Sequence, residues 1–156
     1  STVELTYKCI SLFAVSVYPR VSDLARLARC KITILATAMR HRYFGTKELR
    51  SVPVFTRQGG ISRAQCLRVC PVTTMQAYLA RTSSDLYEHA DPVYPFEHVF
   101  MSQVPNRTSG YFFPVGVATC SRWLRDVMDR VGIDPKYKGG SVRTELTYVR
   151  WPRTSA

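Results

Sequence analysis

Acidic residues and long apolar runs are both scarce in this sequence. Its 156 residues include 11 Asp and Glu against 22 Lys and Arg, which gives a formal net charge of +11. No stretch reaches the ~18 consecutive apolar residues that span a bilayer, and residues 1–5 lack the basic segment of a secretory signal. We therefore expect an intracellular protein without a membrane partner. The missing initiator Met suggests a chain cut at its front or taken from inside a longer product.

The cysteines are too few and too irregularly spaced for a disulfide framework. There are five of them, and an odd count argues against a set of paired bridges. Cys66 and Cys70 are four residues apart, but no second pair and no closely spaced pair of histidines accompanies them, so we predict no metal site. We expect reduced thiols, three of them in the core, and no cofactor.

What the sequence does contain is enough apolar material for one folded domain. Apolar residues make up 46% of the chain and aromatic residues 12%, which is a globular composition. The excess of positive charge favours a polyanionic partner, of which nucleic acid is the simplest. On charge alone, the alternative is a basic protein that has no such partner.

An apolar first element is predicted over residues 2–18. Its length favours a helix, whereas its β-branched content leaves a strand open. Pro19 disfavours helical geometry at the residue before it and marks the end of the element. Ser22 or Asp23 is the candidate cap of a short helix that follows.

A small sheet and a second helix are predicted next. Residues 31–55 contain short apolar runs and a glycine-containing turn, which predict two or three short strands, and residues 58–60 are predicted to end the sheet. Pro71 is favoured at the first position of a helix, and Arg81 and Thr82 close that helix. Its apolar face comprises Val72, Met75, Tyr78 and Leu79.

The clearest amphipathic pattern covers residues 117–131, which predict a helix that stops at Gly132. Before it we expect a loop over residues 83–97, a short buried strand or turn at 99–101 and a turn at 106–110. Trp123 and Tyr78 are assigned to the core, and the three histidines, His41, His89 and His98, to the surface or loops. The apolar stripe of the helix comprises Val117, Cys120, Trp123, Leu124, Val127, Met128 and Val131.

Four sequence pieces then stand in one order. They are Arg-x-Ser-Asp-Leu at residues 20–24, Gly-Thr-Lys-Glu at 45–48, the helix that follows Cys70-Pro71-Val72, and Ser-Arg-Trp-Leu at 121–124 leading to Gly-Ser-Val-Arg at 140–143. In this order the chain resembles the catalytic domain of the tyrosine recombinases, or phage-type integrases, in the form found in eukaryotic, fungal-like mobile elements. The resemblance is strongest over residues 1–144.

The resemblance implies a fold and a set of site residues. The fold would be α+β, mostly α, with a small antiparallel sheet, as a single partial catalytic domain over residues 1–156. Arg20 and Arg143 match the two catalytic arginines, which would converge on one phosphate and donate paired hydrogen bonds to its oxygens. Lys47 matches the hairpin lysine that protonates the leaving 5′ oxygen, and Asp23 supports the site without touching DNA.

Several of these assignments have alternatives. Arg42 and Arg50 are rivals of Lys47, and a hairpin lysine is commonly a solvated edge charge. Arg20 could instead form an ordinary ion pair with Asp23 or cap a helix end. A further arginine cluster either follows a DNA backbone or forms a solvated face; its members are Arg57, Arg63 and Arg68.

The chain also departs from the family pattern. Gly140 stands where the family has a histidine or lysine, and Tyr148 is too near Arg143 to be the tyrosine nucleophile. We therefore expect a chain truncated before the nucleophile. It would bind the scissile phosphate of duplex DNA, in the context of DNA recombination and integration, without cleaving it, and it would be nuclear if eukaryotic. Intact family members assemble as oligomers on DNA. The alternatives are a non-catalytic nucleic-acid-binding module and a decayed mobile-element fragment.

Overall fold

The computed structural model describes residues 1–44, 55–82 and 98–134. These residues form an α+β structure with four α-helices and a three-stranded antiparallel sheet, so the predicted class is confirmed. The helices are α1 (Thr2–Val17), α2 (Val21–Leu24), α3 (Pro71–Arg81) and α4 (Val117–Arg130), and the strands are β1 (Thr33–Ile34), β2 (Ala38–Phe44) and β3 (Phe55–Ser62).

The first element is a helix, which confirms the reading favoured by its length. Its amino end has a reciprocal capping box, in which the Ser1 side chain accepts from the Glu4 backbone and the Glu4 carboxylate accepts from Ser1. Its carboxyl end is Tyr18, which adopts the left-handed conformation with φ 49° and ψ 47°. Pro19 disfavours right-handed helical geometry at Tyr18, so the helix ends where the sequence predicted.

Helix α2 begins earlier than predicted. Arg20 is its N-cap residue, so the expectation that Ser22 or Asp23 caps this helix was wrong. Asp23 lies at the third helical position, and its carboxylate accepts a hydrogen bond from the backbone N–H of Arg20 at 3.2 Å. This is the acidic half of a capping box, and it explains why an acid three residues into the segment starts the helix without itself being the cap.

The sheet has the strand order β1-β2-β3, with antiparallel neighbours. Its last strand continues through Gly59 and Gly60, which pair with His41 and Arg40. The prediction that residues 58–60 end the sheet was therefore wrong. A Cβ on Gly59 would overlap the His41 imidazole ring, so this glycine marks a close approach inside a strand rather than a strand end.

The later elements confirm most of the remaining predictions. Helix α3 begins at Pro71 and ends at Arg81, and residues 99–101 are buried. Residues 106–110 form a turn closed by a hydrogen bond from the Gly110 N–H to the Asn106 carbonyl at 2.8 Å. The predicted loop at 83–97 and the turn at 45–48 lie outside the described residues.

Helix α4 confirms the amphipathic prediction. After it the chain closes a Schellman motif, in which Gly132 has φ 75° and donates to Asp129, while Ile133 donates to Met128. Cys120, Trp123 and Leu124 are buried, but Val117 and Val131 at the ends of the predicted stripe are 44% and 65% exposed. The stripe is thus only covered in its middle.

The core lies where α1 packs against α3 and α4, with the sheet closing one side. Trp123 and Tyr78 are 2% and 1% exposed, and both core assignments are confirmed, as is the burial of three cysteines, Cys9, Cys70 and Cys120. The surface assignment was wrong for His41 and His98, which are 0% and 6% exposed.

Each buried histidine has a structural explanation. The His41 ring packs edge-on between the rings of Phe13 and Tyr43, with centroid distances of 4.9 Å and 5.2 Å. Nδ1 of His98 lies 2.6 Å from the Ala25 carbonyl oxygen. Because a carbonyl only accepts, this nitrogen holds the proton. His89 is outside the described residues.

Candidate nucleic-acid interface

Arg20 occupies the short connection between α1 and α2. The left-handed Tyr18 turns the chain out of α1, Pro19 fixes the next backbone angle, and Arg20 follows with extended geometry, φ −67° and ψ 150°. The residue is exposed. Arg20 thus lies at the surface, at the junction of two helices.

Asp23 holds the main chain of this connection. It is 2% exposed, and its carboxylate accepts from the Arg20 N–H. A buried carboxylate requires hydrogen-bonded partners, and this one spends part of its bonding capacity on the backbone of the arginine. The carboxylate therefore fixes where the Arg20 side chain starts, and its assignment as a supporting residue remains a prediction.

The other residues assigned to the phosphate site cannot be placed with Arg20. Lys47 and Arg143 lie outside the described residues, so the predicted convergence of Arg20 and Arg143 is untested. Arg57 belongs to β3, where its backbone pairs with Tyr43, and its side chain is outside the described part of the molecule.

Arg63 follows β3 directly and has structural partners. Its guanidinium donates to the carbonyl oxygens of Ala36 at 2.9 Å and Leu35 at 3.4 Å, and to the Thr73 hydroxyl at 2.9 Å. These bonds connect the β1–β2 turn to the first turn of α3. Each of its three guanidinium nitrogens donates to a protein acceptor, and its assignment as a DNA contact stays a prediction.

Arg29 has a similar structural role at the other end of α3. It donates to the Leu79 carbonyl and, at 3.0 Å, to the Thr82 hydroxyl. Basic side chains commonly satisfy the last carbonyls of a helix in this way. Arg29 and Arg63 thus connect both ends of α3 to the segments around the sheet.

A second set of basic residues, which the sequence reasoning missed as a group, lies on the outer face of the sheet. Arg40 and Arg42 are exposed, while Met39, His41 and Tyr43 between and beside them are buried. Alternation of this kind is the ordinary sign of a half-buried strand. The alternation can be recognised in the sequence of residues 39–43. It was missed because His41, at its centre, was assigned to the surface.

The basic residues of α4 are set among acids. Asp126 accepts a hydrogen bond from the Tyr7 hydroxyl at 3.0 Å, and the Arg130 guanidinium lies 4.7 Å from the centre of the Tyr7 ring. Burial, followed by this hydrogen bond, raises the pKa of Tyr7. Asp129 follows on the same helix. This part of the surface therefore has mixed charge, unlike the outer face of the sheet.

The surroundings of the buried thiols indicate that they have structural roles. Burial raises the pKa of Cys9, whose Sγ lies 3.7 Å from the Met75 sulfur, and it raises the pKa of Cys120 to about 12. Cys70 is different. Burial opposes its ionisation, but hydrogen bonds from Thr73 and Ala64 outweigh that effect and lower its pKa. Its sulfur serves as the N-cap acceptor of α3.

One cavity lined by described residues is small. About 230 Å³ in volume, it lies between the amino end of α1, the carboxyl end of α3 and residues 101–112, with Arg81 as its one charged lining residue. Ligand pockets for small molecules usually exceed about 300 Å³. This cavity is therefore too small to be the candidate site, which we place on the surface.

The described residues contain neither a metal-binding cluster nor a membrane-spanning helix. Within residues 1–44, 55–82 and 98–134, no three side chains of His, Cys, Asp or Glu are grouped so that they could hold a metal ion. No helix in the same ranges is long and apolar enough to cross a membrane.

No protein-family model, no curated protein and no solved structure matches this chain.

Proposed function

We propose that this chain binds duplex DNA through its phosphates, as a protein of DNA recombination and integration with the integrase-like fold of the tyrosine recombinases. The support is the sequence order noted above, the net charge of +11 and the position of Arg20. A nuclear location in a eukaryotic cell and assembly on DNA belong to the same proposal.

Arg20 is the observation on which the proposal chiefly depends. This exposed arginine is the N-cap residue of α2, and the buried carboxylate of Asp23 accepts a hydrogen bond from its backbone N–H. A planar guanidinium donates two parallel hydrogen bonds to a phosphate, which a lysine cannot do. Holding the backbone limits the positions that the side chain has to search, and this lowers the entropy cost of binding an anion.

The proposed activity is binding rather than strand cleavage. Forming a covalent link to DNA needs a nucleophile, and we assign none among the 156 residues. Tyr148 is the nearest tyrosine after Arg143, and it comes only five positions later in the chain. We expect a nicked suicide duplex to yield no covalent adduct. An adduct through Tyr148 would contradict this assignment.

The decisive experiment measures the affinity of Arg20 variants for a fluorescent duplex of about 20 base pairs at several salt concentrations. The unmodified chain should bind, and its affinity should fall steeply with salt because counterions are released. Arg20→Ala should weaken binding several-fold without changing the thermal melt. Arg20→Lys should restore only part of the loss because the paired geometry is missing. Arg107→Ala, an exposed arginine in the 106–110 turn, is the matched control.

Equal binding by Arg20→Ala and Arg107→Ala would remove the phosphate role of Arg20. It would favour the second candidate function, a non-catalytic nucleic-acid-binding module that uses the basic surface in general. The exposed arginines of β2 support that candidate, since they lie on a face without acids. In that case binding remains sensitive to salt and indifferent to Arg20 and Arg143.

A further inference from the structure

The outer face of the three-stranded sheet is polar, basic and free of acids. Its residues are paired across the strands by register, with Thr33 and Gly60 flanking Arg40, Gln58 beside Arg42, and Ser62 at the end. All are exposed, and none of the three strands contains Asp or Glu. We call this set the open face; it comprises Thr33, Arg40, Arg42, Gln58, Gly60 and Ser62.

We propose that the open face binds the sugar–phosphate backbone of duplex DNA, with Arg40 and Arg42 contacting phosphates of one strand. This rests on the proposed function, in that it assumes the same partner. The resemblance gives Arg40 no role, and it considers Arg42 only as an alternative to Lys47. Two residues apart on one strand, the side chains start about 6.7 Å from each other on the same side. Both guanidiniums can therefore address one backbone at the same time.

The two arginines differ in how they are held. Arg42 donates to the Gln58 side-chain oxygen at 3.0 Å, which keeps its guanidinium over the strand pair. Arg40 is exposed, and among the described residues its side chain has no hydrogen-bond or ion-pair partner. An arginine without an internal partner contributes its full hydrogen-bonding capacity to a ligand.

Gly60 supplies an independent argument for close approach of a ligand. Its neighbour Gly59 is required by the fold, since a Cβ there would overlap the His41 ring. At Gly60 a Cβ would lie 3.7 Å from the Met39 carbonyl oxygen, which is an ordinary contact, and its backbone angle is not in the left-handed region. The fold therefore does not demand glycine at this position. A glycine inside a strand otherwise weakens it, and one use of such a residue is to let a ligand backbone approach.

The composition of the open face also selects the kind of ligand. Its six residues offer guanidinium, hydroxyl and amide donors, and none of the six is aromatic. Single-stranded nucleic acids are held largely by stacking of bases on aromatic side chains. Phosphate contacts without stacking suit a duplex, whose bases are already stacked and whose backbone is presented outward.

The test compares two double variants that remove the same charge from different places. Arg40→Ser with Arg42→Ser alters the open face, and Arg122→Ser with Arg125→Ser alters exposed positions of α4. Each lost phosphate contact should make the slope of log affinity against log salt shallower by about 0.9. The open-face double variant should therefore lose about 1.8 in slope and roughly tenfold in affinity at low salt. The α4 pair should change the slope by less than half as much.

A second pair of variants tests the approach at Gly60. Gly60→Asp should weaken duplex binding more than Gln76→Asp, which adds the same charge on an exposed turn of α3. Thermal melts of every variant verify folding, and Arg40→Ser alone replaces the double variant if losing the Arg42–Gln58 bond lowers its melting temperature.

The possible outcomes separate this inference from the proposed function. If the unmodified chain does not bind duplex DNA at low salt, both fail. If it binds and Arg20→Ala weakens it, while the open-face and α4 double variants behave alike, the open face is not a DNA contact and the proposed function stands. Stronger binding of a single strand than of the duplex would also overturn the assignment.

Discussion

The two faces of the sheet are built from the same strands and have opposite characters. The inner face places Met39, His41 and Tyr43 against the rest of the core, and all three are nearly inaccessible. On the outer face, Arg40 and Arg42 are exposed. The neighbouring glycines of β3 follow the same division, since Gly59 makes room for a buried ring and Gly60 faces outward. Substitutions on the inner face should thus affect stability, and those on the outer face should affect binding.

The largest expected loss of stability follows from a substitution in the core against the inner face of the sheet. Phe13 of α1 is 1% exposed and packs on the His41 ring. Phe13→Ala should lower the free energy of unfolding by about 3–5 kcal/mol, because it removes buried apolar surface and leaves a cavity. Val15 on the same helix is 40% exposed, and Val15→Ala should cost under about 1 kcal/mol. Urea titration measures both, and similar losses would contradict the packing described here.

The buried thiols should make the free energy of unfolding depend on pH. Burial raises the pKa of Cys9 and of Cys120, so the unfolded chain releases these protons first. Their stabilisation is complete below the unfolded thiol pKa of about 8.5 and is lost as pH rises above it, by about 1.4 kcal/mol per thiol for each pH unit.

Urea titrations at pH 8, 9 and 10 measure this loss. A variant with Cys9→Ala and Cys120→Ala is expected to be less stable at pH 8 but to lose less on going to pH 10. An unchanged slope in that variant would assign the alkaline loss to other groups.

The glycine pair gives the sharpest comparison of the two faces. Gly59→Ala places a Cβ against the His41 ring and should cost about 1–3 kcal/mol, as overpacking in a core does. Gly60→Ala meets only an ordinary contact and should change stability by less than about 0.5 kcal/mol. Denaturant unfolding of the two single variants checks this, and equal destabilisation would show that the strand itself, rather than the ring, requires glycine.

The smallest expected difference in stability is between alanine variants of two arginines. Arg63 bonds to two carbonyls and a hydroxyl of distant segments, so Arg63→Ala should cost about 1–2 kcal/mol. Arg42 has a single exposed bond to Gln58, and Arg42→Ala should cost under about 0.5 kcal/mol. Thermal melts suffice to rank them. The reverse order would mean that the hydrogen bonds of Arg63 contribute little to the folded state.

The sequence predicted the helices well and the interior of the sheet poorly. The limits of α1, α3 and α4 follow from local signals, namely apolar periodicity, Pro19, Pro71 and Gly132, and these act within a few residues. Gly59 was misjudged because its partner, His41, is 18 residues earlier and becomes a neighbour only through strand pairing. A glycine in isolation predicts a turn as readily as a close approach.

The candidate site was predictable only in part for the same reason. The position of Arg20 at a helix boundary follows from Pro19, but its exposure and the bond from its N–H to Asp23 depend on how the connection folds. Arg63 resembled a surface charge because its partners Leu35, Ala36 and Thr73 come from other elements. The alternation that exposes Arg40 and Arg42 is a local pattern and can be recognised in the sequence. It was missed because a histidine is not counted as apolar when periodicity is assessed.

The backbone of Tyr18 has a consequence for anyone who wishes to redirect Arg20. Tyr18 is the one non-glycine residue with positive φ in the described part of the chain, and such a conformation costs an ordinary side chain roughly 1–2 kcal/mol. The path of the main chain from α1 to Arg20 therefore depends on the backbone of Tyr18, a residue that is 37% exposed. Tyr18→Gly would remove this backbone strain and widen the range of conformations open to the connection, without changing the side chain of Arg20.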